Sequence, residues 1–254
     1  MTWLALLFLG LGAADLAQAV AGPRRRWIGA LAGASTIGVT AALALAPTLP
    51  NALAASACLL ALGAWRATHA AHPRGRTQAL LGLLAAAGPV AVGVACSGLA
   101  PPASGPLADW LRSIPLLGLP TAGPDRALLL LGAALVNVET ANLIVRDTLV
   151  ATGTSPLTRG HSDGEPALLG PRRLRGGRAL GAMERLLILG FGASGNLAAA
   201  GLVVAAKGLI RFPELNAASK GSPASPRIDE ITEYFLIGSF ASILVALGTV
   251  ALTA

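Results

Sequence analysis

The chain has 254 residues, 54% of them hydrophobic and only 12% charged, with a mean hydropathy of +0.67 and a formal net charge of +7. This excludes an ordinary soluble domain, whose helices turn a polar face to water; the apolar stretches here have almost none. Nucleic-acid binding is not indicated either, because the Arg run lacks interleaved aromatics and no recognition motif accompanies it.

In chain order the apolar stretches are Thr2 to Val20, Trp27 to Ala46, Asn51 to Ala67, Thr77 to Leu99, Ala127 to Val145, Glu184 to Leu209 and Glu230 to Leu252. A helix needs about 20 mostly apolar residues to cross the hydrocarbon of a bilayer. All are rich in Ala, Leu, Gly and Val, and none shows the period of two of a barrel strand. In lipid a helix satisfies its own backbone groups. The sequence therefore predicts an all-α fold, a polytopic transmembrane helical bundle of about seven spans in one membrane domain over residues 1–254. Ala17-Gln18-Ala19 resembles a signal cleavage site. No Lys or Arg precedes the stretch, however, and Asp15 interrupts it, so it reads as a retained span.

Three breaks separate the stretches. Residues 100–126 form an outer Pro-rich segment. Within it Asp109, Trp110, Leu111 and Arg112, with Ile114, Leu116 and Leu117, suit a piece lying on the membrane surface; a short re-entrant piece is the rival. Residues 147–177, rich in Gly, Pro, Ser and Arg, predict a flexible cytoplasmic loop, and residues 213–229 a flexible outer loop. No internal repeat supports an inverted-repeat transporter. Gly29 and Gly33, and Gly177 and Gly181, have the four-residue spacing of close helix packing.

Basic residues orient a helical bundle because they are retained on the cytoplasmic side. Arg24 to Arg26, then Arg66, Arg74 and Arg76, then Arg146, Arg159, Arg172, Arg173, Arg175 and Arg178 fall in alternate loops, with Arg185 beside the last. That bias predicts an N-out, C-in arrangement, with the bilayer as partner and anionic lipids at the Arg-rich loops. Lys207, Arg211, Lys220 and Arg227 crowd the last outer loop and run against the bias.

Cys58 and Cys96 read as small buried thiols, and without His or Cys neighbours they imply no metal and no cofactor. His69 and His72 read as a solvated pair near lipid headgroups; a metal site would need further ligands.

The informative residues are those that break the apolar rule. Glu139, Asn142 and Arg146 fall at i, i+3 and i+7, on one helical face. A carboxylate in hydrocarbon must pair, reach water or take up a proton. Asp15, with Gln18 one turn later, lies at a similar depth from the Arg-bearing end of its own helix. Glu184 and Arg185 enter the sixth stretch from that same side. These residues predict one inner-leaflet polar cluster of Asp15, Gln18, Glu139, Asn142, Arg146, Glu184 and Arg185. Its roles remain two: ion pairs and hydrogen bonds that fix packing, or a binding site. A second set, Lys207, Arg211 and Glu214 facing Asp229, Glu230, Glu233 and Tyr234, suggests structural ion pairs across the last hairpin.

Three motifs follow in order: Arg178-Ala-Leu-Gly-Ala-Met-Glu184-Arg185-Leu-Leu-Ile, then Ala205-Ala-Lys207-Gly-Leu-Ile-Arg211-Phe212-Pro-Glu214-Leu, then Glu233-Tyr234-Phe235-Leu-Ile-Gly238-Ser239. Together, over residues 130 to 250 or so, they resemble the C-terminal part of a bacterial integral membrane family that carries an N-terminal domain of unknown function. Asn142 and Arg146 would match that family's polar helix. Its first helix bears His and Asp, whereas here Asp15 and Gln18 stand without the His. The resemblance implies a multi-pass protein of the bacterial cytoplasmic membrane and no particular reaction.

Two functions fit. One is a transport-type protein that binds a small molecule, ion or lipid at the polar cluster. The other is a scaffold or accessory subunit, partnered by another membrane protein or by its own copies. Enzyme chemistry is disfavoured: HExxH, GxSxG and Gly-rich phosphate loops are absent, and all three His residues fall in predicted loops.

Overall fold

The computed structural model describes residues 1–70, 75–114, 119–154, 177–219 and 227–253. It is all-α: no strand occurs among the described residues. The helices are α1 (Thr2–Ala21), α2 (Arg26–Ala44), α3 (Leu49–Thr68), α4 (Arg76–Ala95), α5 (Pro106–Ser113), α6 (Leu119–Leu135), α7 (Ala141–Thr152), α8 (Gly177–Ala193), α9 (Leu197–Ser219) and α10 (Arg227–Thr253). A π-helical turn, Val136–Thr140, joins α6 to α7. Five segments are long and apolar enough to cross a membrane: Thr2–Ala21, Arg26–Ala44, Arg76–Ala95, Gly123–Thr152 and Thr232–Thr253.

Two of the predicted spans differ from expectation. The third forms α3, which at 20 residues is long enough, but Asn51, Trp65 and Arg66 dilute its apolarity and it falls outside those five. The sixth, expected as one helix over Glu184 to Leu209, is two. α8 ends at Ala193 and α9 begins at Leu197. The cause is local. Gly195 adopts φ +80, a left-handed conformation that a side chain disfavours. Asn196 then starts α9 by accepting the Ala199 N–H on its Oδ1 (3.1 Å). The predicted flexible loop also begins later, since α7 continues to Thr152; residues 155–176 and 220–226 lie outside the described residues.

The described residues divide into two compact units. The first holds Met1–His72, Leu81–Thr140 and Thr253; the second holds Pro73–Leu80, Ala141–Leu252 and Ala254. In the first unit α1 is the core, packing against α2, α3, α6 and the π turn. Asp15 and Gln18 apart, it is apolar all round, as suits a helix enclosed by others, and most of it is buried whereas most of α4 is not. Small residues let its neighbours approach. A Cβ on Gly12 would stand 2.5–2.9 Å from Leu135 and Val136, and one on Gly33 would stand 2.8 Å from Ala14, Leu62 and the Gly10 carbonyl. The four-residue Gly29–Gly33 spacing therefore lies on the α1–α2 contact.

Polar contacts close one end of this unit. Thr2 Oγ1 donates to the Pro101 carbonyl (2.8 Å), and Trp3 Nε1 donates to Asn51 Oδ1 (2.8 Å). The Ala103 N–H donates to Asp125 Oδ1 (2.5 Å), and Arg126 Nε donates to the Thr253 carbonyl (2.8 Å). α5 exposes Asp109, Trp110 and Arg112 and buries Ala108.

In the second unit α8 packs on α9 and α7 on α8. Val250 fills the space where a Cβ on Gly192 would lie, 2.5 Å away. Large apolar side chains stand exposed across the surface, among them Leu60, Leu84, Val92, Leu209 and Leu244.

Candidate functional site

Asp15 lies two-thirds of the way along α1, and its side chain is completely enclosed. Ionisable groups are seldom buried unless charges and hydrogen bonds compensate them. Here three neighbours do so. Trp65, on α3, donates its indole N–H to both carboxylate oxygens (3.2 Å to Oδ1 and 3.0 Å to Oδ2). Thr140, in the π turn, donates its hydroxyl to Oδ2 (2.7 Å). The Arg66 guanidinium brings its Nη1 to 3.6 Å from Oδ1.

Arg66 is held mainly by other oxygens. Its Nη2 donates to Gln18 Oε1 (2.6 Å) and to the Arg26 carbonyl (3.1 Å). Gln18 in turn donates to the Gly22 carbonyl (2.5 Å), and the Arg26 guanidinium donates to the Ala70 carbonyl. The His69 ring sits on the Trp65 indole at a centroid distance of 4.0 Å, and its Nδ1 is 2.9 Å from the Trp65 carbonyl. The cluster is thus assembled from α1, the start of α2, the end of α3 and the π turn.

The π turn has a geometric consequence. An extra residue in a helical turn shifts the register of every side chain after it, and such turns recur at functional sites. Here the turn carries Thr140 to Asp15 and holds Asn137, Glu139 and Thr140 buried. The i, i+3, i+7 face expected for Glu139, Asn142 and Arg146 assumed an unbroken α-helix. Glu139 is buried and Arg146 is exposed.

In the second unit Arg185 is buried on α8. Its Nη2 donates to Asn142 Oδ1 (2.7 Å) and its Nη1 to Ser242 Oγ (3.0 Å), tying α7, α8 and α10 together. Glu184, its neighbour in sequence, faces α9 and accepts a hydrogen bond from Lys207. Lys207 thus pairs with a residue of the first predicted set. Glu233 is exposed, and the side chains of Arg211, Glu214 and Glu230 lie outside the described residues.

Trp65, Thr140 and Ser242 were not among the residues singled out from sequence, and Arg66 figured only as an orienting charge. A signal for two of them exists. Trp65 and Arg66 sit at the Arg-bearing end of the third stretch, at the depth of Asp15 in the first. Thr140 has no such signal, because its contact depends on the π turn.

No group of three or more His, Cys, Asp or Glu residues suited to a metal ion occurs among the described residues. Comparison of the chain with protein-family models, with curated proteins and with solved structures found no match.

Proposed function

We propose that this chain is an integral protein of the bacterial cytoplasmic membrane and that the Asp15 cluster is the binding site of a transport-type protein for a small molecule, ion or lipid. The observation that carries this is the fully enclosed Asp15 carboxylate, gripped by Trp65 and Thr140 and flanked by Arg66. A charge at such a position is expensive and marks solute or ion paths in membrane proteins. The five long apolar helices support the membrane setting. The bacterial membrane rests on the motif resemblance.

The Arg-bearing loops favour an outside N-terminus, which puts Asp15 toward the inner leaflet. Thr2 and Thr253 belong to one end of the first unit, so the number of crossings between them is even. We therefore read the C-terminus as outside too, in place of the C-in arrangement that seven crossings would give. The α8–α9 turn supplies the difference, because a hairpin returns the chain to the side it left.

The test is an electrical one. The protein is reconstituted on a solid-supported membrane, and transient currents are recorded on concentration jumps of sodium, methylammonium, methylguanidinium and acetate. At least one probe should give a protein-dependent current that Asp15→Asn abolishes in correctly assembled protein. Currents unchanged in that variant would overturn the reading.

A scaffold or accessory role is the second reading, and α4 favours it: an apolar helix with only 11% of its membrane-length window buried has surface free for a partner. A stable stoichiometric partner in native mass spectra, with no probe current, would select it.

A further inference from the structure

Three oxygens converge on the Arg66 guanidinium: Gln18 Oε1 at 2.6 Å, the Arg26 carbonyl at 3.1 Å and Asp15 Oδ1 at 3.6 Å. One is a carboxylate oxygen and the others are strong neutral acceptors, a set suited to a cation bearing several N–H groups. The Asp15 contact is too long for a hydrogen bond. Its carboxylate is satisfied by Trp65 and Thr140 instead, so it is fixed in place whether or not Arg66 is present.

Space for the guanidinium is provided by α2. A Cβ on Gly29 would lie 3.1 Å from Arg66 Nη2, 3.0 Å from the Gln18 Cβ and 2.7 Å from the Ala14 carbonyl. The Arg66 side chain is 16% exposed while that of Asp15 is 0% exposed. Arg66 therefore stands between the buried carboxylate and the end of the unit. Arg24, Arg25 and Arg26 at that end are exposed, where salt screens their charge.

We propose that the oxygens of Asp15, Gln18 and Arg26 form a binding site for the guanidinium or primary ammonium group of a small organic cation, and that Arg66 occupies it here as a tethered stand-in. This rests on the reading of the Asp15 cluster as a binding site and names its ligand class. A side chain on a short tether competes at an effective concentration of order millimolar. Ligand binding to the Arg66 protein is therefore weakened by the fraction of time the arm is in place. Exchange of arm for ligand keeps the buried carboxylate compensated throughout.

Trp65 reports on the site because its indole N–H lies on the carboxylate. In nanodiscs, with Trp3, Trp27 and Trp110 replaced by Phe, its emission is followed during titration with methylguanidinium against NaCl of equal ionic strength. Arg66→Ala should bind methylguanidinium about tenfold more tightly than the Arg66 protein, and Asp15→Asn in the Arg66→Ala background should give no saturable change. Equal affinity with and without Arg66, or saturation surviving Asp15→Asn, would overturn the proposal. If Arg66→Ala does not assemble, Arg66→Met serves, since an uncharged side chain fills part of the space without competing for the three oxygens. It should bind the probe more tightly than the Arg66 protein, and an unchanged affinity would again overturn the proposal. Probe currents lost in Asp15→Asn without methylguanidinium saturation in either variant would sink this inference alone. Currents surviving Asp15→Asn would sink the reading beneath it.

Discussion

Lys207 donates a hydrogen bond to the Glu184 carboxylate across the turn between α8 and α9. The two are 23 residues apart, and in one continuous helix they would stand roughly 35 Å from each other at 1.5 Å per residue. Their pairing is the signature of the hairpin. Both side chains are only 17% exposed, so the pair is mostly shielded from water. Removing one partner of a shielded pair leaves the other uncompensated. Lys207→Met is expected to destabilise the protein by about 3 kcal/mol, read as a lowered thermal unfolding midpoint in detergent. The exchange Glu184→Lys with Lys207→Glu should recover most of the loss, and failure to recover would show that the pair does not hold the hairpin.

Close packing on α1 separates two glycines that look alike in sequence. Gly12→Ala would drive a Cβ to 2.5 Å from Leu135 Cβ and 2.9 Å from the Val136 backbone nitrogen, and backbone yields poorly. A loss of about 2 kcal/mol is expected. Gly38→Ala meets nothing within 4 Å and should be neutral or stabilising by up to about 1 kcal/mol. Unfolding midpoints of the two variants, measured side by side, check the contrast.

The donors to Asp15 differ in expected weight. Thr140→Val removes one hydroxyl bond to Oδ2 and should cost about 1 kcal/mol. Trp65→Phe removes the N–H shared by both oxygens and should cost about 2 kcal/mol, because a buried carboxylate is left under-satisfied. Equal midpoints for Trp65→Phe and the parent protein would show that the indole bond carries no stability.

The proposed sidedness rests on the contact of Arg126 with the Thr253 carbonyl. In a Cys58→Ser, Cys96→Ser background, single cysteines placed before Met1 and after Ala254 should both react with an impermeant maleimide on intact cells. Labelling of the C-terminal cysteine only after permeabilisation would restore an odd number of crossings.

The candidate site was legible in part. Asp15, Glu139 and Arg185 stand out because ionisable residues in an apolar run are rare and costly, and Gln18 follows Asp15 by one turn. Their partners were legible at most as a depth, Trp65 and Arg66 lying level with Asp15 in the third stretch. Nothing in the local pattern distinguishes Trp65 from an ordinary apolar residue or Thr140 from a helix-facing hydroxyl. Grouping Glu184 and Arg185 in one cluster also misses that adjacent helical residues point in different directions. Glu184 faces α9, while Arg185 turns toward Asn142 and Ser242.

By itself the sequence determined the helical class, the places of most apolar segments and the rarity of charge within them. These depend only on composition and on the length of chain needed to bury backbone groups. The tertiary structure decided which polar residues meet, that Glu184 to Leu209 turns back at Gly195, and that Thr140 reaches Asp15. Those outcomes depend on a left-handed glycine, an added residue in one turn and the close approach of helices at small side chains. Each is a departure of an ångström or a few degrees that hydropathy does not encode.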